Sequence, residues 1–335
     1  MSGDFDAATS PLARFARGPR VRAWEIALWI AAIAAWFALP RHAGLLNEIA
    51  ILALFAVSLD LILGYGGIVS LGHAAFFGTG AYAAALFAKH VMPDPIVGLL
   101  VATLGAALLG AATSVLVLRG TDLTRLMVTL GVALILYELA NRFDTVTGGA
   151  DGLRGVVMGP LLGAFAFDLG SRVAYAYSLV VLIVLFFVAR RIVHSPFGYG
   201  LVALRDNARR ATAIGIGQNA RLSIAYTIAA AYAGAAGALL AQTTGFASLD
   251  VLDFHRSADV LLVLVIGGVG WLYGGVIGAV AFKLLHDYLS ALTPQYWQGL
   301  IGIVLVVLVL VGRERLGRGV RALVPARWRD ENVHD

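Results

Sequence analysis

The sequence predicts an all-α integral membrane protein, and three observations carry that prediction. Nine apolar runs extend along the 335 residues, most of them near the ~20 residues a helix needs to cross the hydrocarbon core. Only 13% of the residues are charged and 60% are hydrophobic, with a mean hydropathy of +0.84, whereas soluble domains carry roughly a quarter charged residues. The 23 arginines and two lysines lie mostly in polar stretches between the runs.

The elements follow in order. Residues 1–22 are polar and arginine-bearing and read as a cytoplasmic N-terminal segment. The run from Ile26 to Leu39 is followed by Leu39-Pro40-Arg41-His42, which offers no A-x-A-like cleavage site, so it reads as a retained first span. Further runs occupy 45–63, 68–88, 96–118, 123–140, 173–189, 222–241 and 296–311. The run 258–282 is broken by six glycines and reads as two short segments, giving about ten membrane segments within a permeating domain at 23–312. Residues 313–335 read as a cytoplasmic tail.

The basic residues orient these segments. With the N-terminus in the cytoplasm and every segment crossing, the inside stretches hold 18 Lys and Arg and the outside stretches hold 6. The positive-inside rule predicts that asymmetry. Both termini are then cytoplasmic, 190–221 is a cytoplasmic loop, and 141–172 is a periplasmic one.

Composition and motifs exclude several chemistries. The chain has no cysteine, so disulfides and thiolate metal sites are absent. A phosphate-binding P-loop needs Lys followed by Ser or Thr; here Lys89 precedes histidine and Lys283 precedes leucine. The seven histidines include no H-E-x-x-H pair, and no G-x-S-x-G occurs. Gly78–Ala83 matches a relaxed dinucleotide pattern but has no carboxylate about 20 residues on. The net charge of +5 lacks the basic, aromatic-interleaved surface that a nucleic-acid partner requires.

The glycines are then read as packing devices. In lipid, helices associate through small residues that allow close approach. "GYGGIVSLGHAAFFGTGAYAAAL", 64–86, contains Gly72, His73, Gly78 and Gly80; the late run contains Gly267, Gly268, Gly270, Gly274 and Gly278. The last three are spaced as two G-x-x-x-G steps on one helix face, and Ala230, Gly234 and Ala238 repeat the spacing elsewhere. Two readings stay open for each: tight packing alone, or a lining of the translocation pathway. The two glycine-rich regions also suggest an inverted repeat of the kind found in transporters. Ionisable groups in a bilayer are expensive and point to function. Asp60 lies near the cytoplasmic end of its run, within reach of the headgroups. For Asp60, Glu138 and His73 alike an interface or structural hydrogen-bonding role competes with a pathway or gating one, and Glu138 is the best pathway candidate of the three.

Four stretches, in order, resemble bacterial branched-chain amino-acid ABC transporter permeases of the LivM type. They are "GGIVSLGHAAFFGTGAYAAAL", "TGGADGLRG", "SPFGYGLVALRDNARRATAIGIGQNARLSIAYTIAAAYAGAAGALLA" and "LVLVIGGVGWLYGGVIGAV". The resemblance spans about residues 45–312, with Gly275 where proline is common. It implies a non-catalytic subunit of the bacterial inner membrane that works with a second homologous permease. Two cytoplasmic ATPase subunits carrying ATP and Mg, and a periplasmic solute-binding protein, would complete the importer. No cofactor is expected on this chain itself.

In such importers a short cytoplasmic helix docks into the ATPase, and residues 203–215 suit that role. Leu201, Leu204, Ala208 and Ala211 are spaced as an apolar stripe, while Arg205, Asp206, Asn207, Arg209 and Arg210 present polar groups and Gly215 provides an exit. Here Arg205-Asp206-Asn207-Ala208 lacks the second acidic residue that the resemblance implies. An amphipathic helix lying on the lipid is the bland alternative. For the whole chain the alternatives are an ion-coupled secondary carrier, an ABC permease for urea or short amides, and an integral-membrane enzyme.

Overall fold

The computed structural model describes residues 23–120, 122–167, 171–292, 299–300 and 302–303. The expected segments 1–22 and 313–335 lie outside these residues, as does most of the run at 296–311. Among the described residues there are ten helices of 14 residues or more. They are α1 (Ala23–Ala38), α2 (Ala43–Asp60), α3 (Ala74–His90), α4 (Pro95–Val117), α5 (Asp122–Arg142), α6 (Arg172–Val193), α7 (Pro196–Ala213), α8 (Gln218–Thr244), α9 (Phe254–Gly267) and α10 (Leu272–Leu292). Among these residues extended structure is limited to isolated bridges such as Leu153–Ala247, which joins the α5–α6 and α8–α9 connections.

Among the described residues, six stretches are long and apolar enough to cross a membrane: the α2 segment from Pro40 to Tyr65, α4, α5 (Leu123–Arg142), α6, α8 and α10. The chain is a multi-pass membrane protein. α1 is apolar but has only 16 residues, and α3 and α9 have 17 and 14. At 1.5 Å per residue α9 reaches ~21 Å, short of the ~30 Å hydrocarbon core. The break expected in the 258–282 run is therefore present, between Gly267 and Leu272.

α2 and α8 form the centre. α8 packs on α4, α3 and α2, while α2 packs on α6, α10 and α8. The composition of α8 explains its place: Ala229, Ala230, Ala233, Gly234, Ala236 and Gly237 are all buried, so no single face is reserved for lipid. By contrast Leu100, Leu104 and Leu108 form an exposed apolar row on α4. Local chemistry sets the helix starts. The Asp94 side chain accepts the amides of Ile96 and Val97 at 2.8 and 3.1 Å, with Pro95 opening α4. Ser195 and Pro196 do the same for α7.

Three expectations about elements need correction. The 68–88 run is not helical from its start; residues 66–73 form a partly buried link, with Ile68, Ser70, Gly72 and His73 inside, and α3 begins at Ala74. Such backbone is tolerated at membrane depth only where protein covers it. Gly270 does not share a helix face with Gly274 and Gly278, because it lies in the turn before α10 with φ +78°. Residues 203–215 are not one helix: Asn207 has φ −157° and ψ 93°, which splits α7 in two, and Ala208 is only half-buried.

Candidate functional site

The site is built around the end of α2. The helix closes in a π turn, Leu61–Tyr65, a geometry often found at functional positions. Asp60, the last α-helical residue, is fully buried and does not reach the headgroups. Its Oδ1 accepts the backbone N–H of Gly270 at 2.7 Å, which anchors the α9–α10 turn to α2. Gly64 makes that approach feasible: a Cβ there would lie 2.6 Å from the Gly270 nitrogen and 2.8 Å from its Cα, and would also strike the Asp60 carboxylate.

α7 reaches the same point. Arg205 Nη1 donates to the Gly64 carbonyl at 2.5 Å, while its Nε and Nη2 donate to Asp206 Oδ1 at 3.0 and 2.9 Å. Asp206 thus holds the guanidinium fork that Gly64 receives. The Arg205 stem covers Gly67, whose φ of +70° and lack of Cβ leave room for it. Leu201 and Leu204 are buried beneath the helix. Beyond the kink, Asn207 Oδ1 accepts the Arg210 amide at 3.0 Å and starts a second short helix, on which Arg209 and Arg210 are exposed. Gly215 follows with φ +87° in open space.

One turn up α2, His73 is completely buried. Ser58 Oγ donates its proton to the Phe55 carbonyl at 2.6 Å, which leaves its oxygen free to accept from His73 Nε2 at 2.8 Å. Its ring stacks on Phe55 with centroids 5.6 Å apart. The following amide, Ala74 N–H, donates to Ser257 Oγ of α9 at 2.9 Å, satisfying one of the orphan donors at the start of α3.

The remaining glycines mark close crossings. A Cβ on Gly72 would enter the backbone of Thr129 on α5; on Gly78 it would meet Leu252, and on Gly80 the backbone of Gly234. Gly267, Gly274 and Gly278 bring α9 and α10 together, and Gly268 turns the chain out of α9 with φ +107°. Glu138 is exposed on α5 and makes none of these contacts. Sequence reasoning missed a buried cluster in which Arg190 Nη1 and Tyr273 OH both donate to Glu25 Oε2, at 2.7 and 3.0 Å. It also missed a charged cavity between α2, α9 and α10. The signal for that cavity lay in Glu48, Ile51, Leu52 and Phe55, which recur at helical spacing.

Residues 42–310 match the family described as the permease component of branched-chain amino acid transport systems. The chain belongs to that family. This permease is 28% identical over 283 residues to the high-affinity branched-chain amino acid transport permease LivM of Escherichia coli K12, covering 77% of this chain and 65% of that relative. LivM of Salmonella typhimurium matches to the same extent. The chain thus spans about 65% of the length of these relatives. LivH of Escherichia coli K12 is 25% identical over 118 residues, covering 35% of this chain and 38% of LivH. No solved structure matches at a significant level. The permease is a transport component of the bacterial inner membrane, and its polar joint at Asp60, Gly64, Arg205 and Gly270 falls within the matched region.

Proposed function

We propose that this permease is the membrane-spanning subunit of an ATP-driven importer for branched-chain or other hydrophobic amino acids. A second homologous permease completes the pathway. Two cytoplasmic ATPase subunits bind ATP and Mg, and a periplasmic protein delivers the solute. The observation that carries this reading is the bond from Arg205 to the Gly64 carbonyl. It ties an amphipathic helix with an exposed basic tip, Arg209 and Arg210, to the point where α2 and the α9–α10 turn meet.

A force applied to that tip moves Arg205, then Gly64, then Gly270. Both termini lie in the cytoplasm, and about ten segments cross or enter the bilayer. Gly267, Gly274, Gly278, Gly72, Gly78 and Gly80 let neighbouring helices slide at short distance. Glu138 faces the second permease or lipid. No cofactor is held by this chain.

The test is purification of the tagged chain from native membranes in mild detergent, followed by reconstitution. Recovery of a second permease with ATPase chains, and leucine uptake that requires ATP, supports the reading. A lone chain that accumulates solute under an ion gradient overturns it in favour of a secondary carrier; ATP-driven uptake restricted to urea or short amides overturns the substrate class.

A further inference from the structure

We propose that the cavity between α2, α3, α8, α9 and α10 is a binding site for a zwitterionic amino acid with an apolar side chain. The proposal rests on the importer reading and adds a place on this chain where the solute is held.

Three helices turn one stripe each towards the cavity. On α2, Glu48, Ile51, Leu52 and Phe55 recur at i, i+3, i+4 and i+7. On α9, Arg256 and Asp259 are three residues apart and share a face, as do Lys283 and His286 on α10. With Phe77 of α3 and Leu240 of α8 they enclose about 280 Å³. That is near the lower end of the roughly 300–1,000 Å³ typical of small-molecule pockets, a size for a single amino acid.

The lining has two carboxylates, Glu48 and Asp259, and two permanent cations, Arg256 and Lys283. Lys283 and Glu48 pair with each other, so the groups left for a ligand are the Asp259 carboxylate and the spare donors of Arg256, one for each end of a zwitterion. Most of these charges are already paired. Lys283 Nζ lies 2.6 Å from Glu48 and 3.2 Å from Asp287. Arg256 uses Nε and Nη2 on Asp250 at 3.2 and 2.6 Å, which leaves three of its five donors.

Asp259 differs: half-buried, it makes no hydrogen bond or ion pair among the described residues. A carboxylate partly withdrawn from water and without a donor is a seat for an α-ammonium group. The free side of Arg256, one turn away, receives the α-carboxylate. Ile51, Leu52, Phe55, Phe77, Leu240 and Phe282 form the apolar wall for the side chain. Each methylene buried there strengthens binding roughly fourfold. The floor is Phe55 and Phe77, with ring centroids 4.6 Å apart, and Phe55 in turn stacks on His73.

The complex of this chain with its partner subunits, in nanodiscs and without the solute-binding protein, is titrated with tritiated L-leucine in a scintillation proximity assay. Saturable binding is expected, displaced by valine and isoleucine but not by 3-methylbutylamine or 4-methylpentanoate, each of which lacks one of the two charges. Asp259→Asn is expected to weaken leucine at least tenfold. Should that variant fail to assemble, Arg256→Gln carries the same expectation from the carboxylate end. Absence of saturable binding in the wild type, or unchanged affinity in the variants, overturns the site. ATP-driven uptake is read in parallel. Uptake by the wild type with unchanged leucine binding in the variants overturns the site and leaves the importer reading standing. Leucine binding that depends on Asp259, without ATP-driven uptake, overturns the importer reading and leaves the site.

Discussion

Gly64 supports two contacts by having no side chain, with the Asp60 carboxylate and the Gly270 backbone, and its carbonyl receives the Arg205 guanidinium. Gly64→Ala places a methyl group inside that meeting point, and overpacking of this kind costs about 1–3 kcal/mol. Thermal unfolding in detergent is expected to fall accordingly; an unchanged midpoint would show that the joint is loose. Asp60 gives a graded comparison, since Asp60→Asn keeps the carbonyl oxygen that accepts the Gly270 amide whereas Asp60→Ala removes it. The alanine variant is expected to be the less stable. Outside the spans, Asp253 caps α9 by accepting the His255 amide at 2.8 Å and also meets its ring at 2.7 Å. The amide bond holds the Asp253 carboxyl below its usual range, and the bond to Asp253 raises the His255 imidazole. The aspartate contribution is present above about pH 3.9 and lost as pH falls through its lowered value. The histidine contribution is full below about pH 6.5 and lost as pH rises through its raised value. Hydrogen-exchange protection of the first turn of α9, corrected for intrinsic rates, is therefore expected to be higher at pH 6 than at pH 8. His255→Ala should remove that difference.

Among the elements, α7 is the one whose shape departs most from its pattern. The spacing of Leu201, Leu204, Ala208 and Ala211 was legible as a helical stripe, and Leu201, Leu204 and Ala211 are buried. The kink was not, because asparagine's ability to cap a new helix from mid-pattern depends on a backbone state that spacing does not encode. Asn207→Ala removes the cap on Arg210, a loss of about 1 kcal/mol to the second half of α7. Transport per ATP hydrolysed is expected to fall while assembly persists; unchanged coupling would place the contact elsewhere on α7. Charge reversal at Arg209 and Arg210 should uncouple hydrolysis from transport more completely. The break between α9 and α10 was readable from six clustered glycines. That Gly270 sits in the turn was not, since G-x-x-x-G spacing looks the same whether or not its first residue is helical.

Across the whole molecule, α2 joins the charged cavity to α7. Glu48 lies in the cavity wall and Asp60 at the joint, ~18 Å apart along one helix. Hydropathy made six spans among the described residues legible, but these cross-chain meetings were hidden. Asp60 and Gly270 are 210 positions apart, and nothing in either local sequence names the other. The same holds for Glu25 and Arg190, which are buried as a pair. Glu25→Ala leaves a buried guanidinium without its carboxylate, a change expected to cost about 3–5 kcal/mol and to lower the yield of folded protein. The meeting of Gly64 and Gly270 has a genetic consequence. When a side chain grows at an interface, evolution commonly repairs it by shrinking the residue opposite. Here the opposite residue is already glycine, so that route is closed. A suppressor screen begun from Gly64→Ala should return changes that re-aim whole segments, such as the turn before α10, and none that merely trim Gly270.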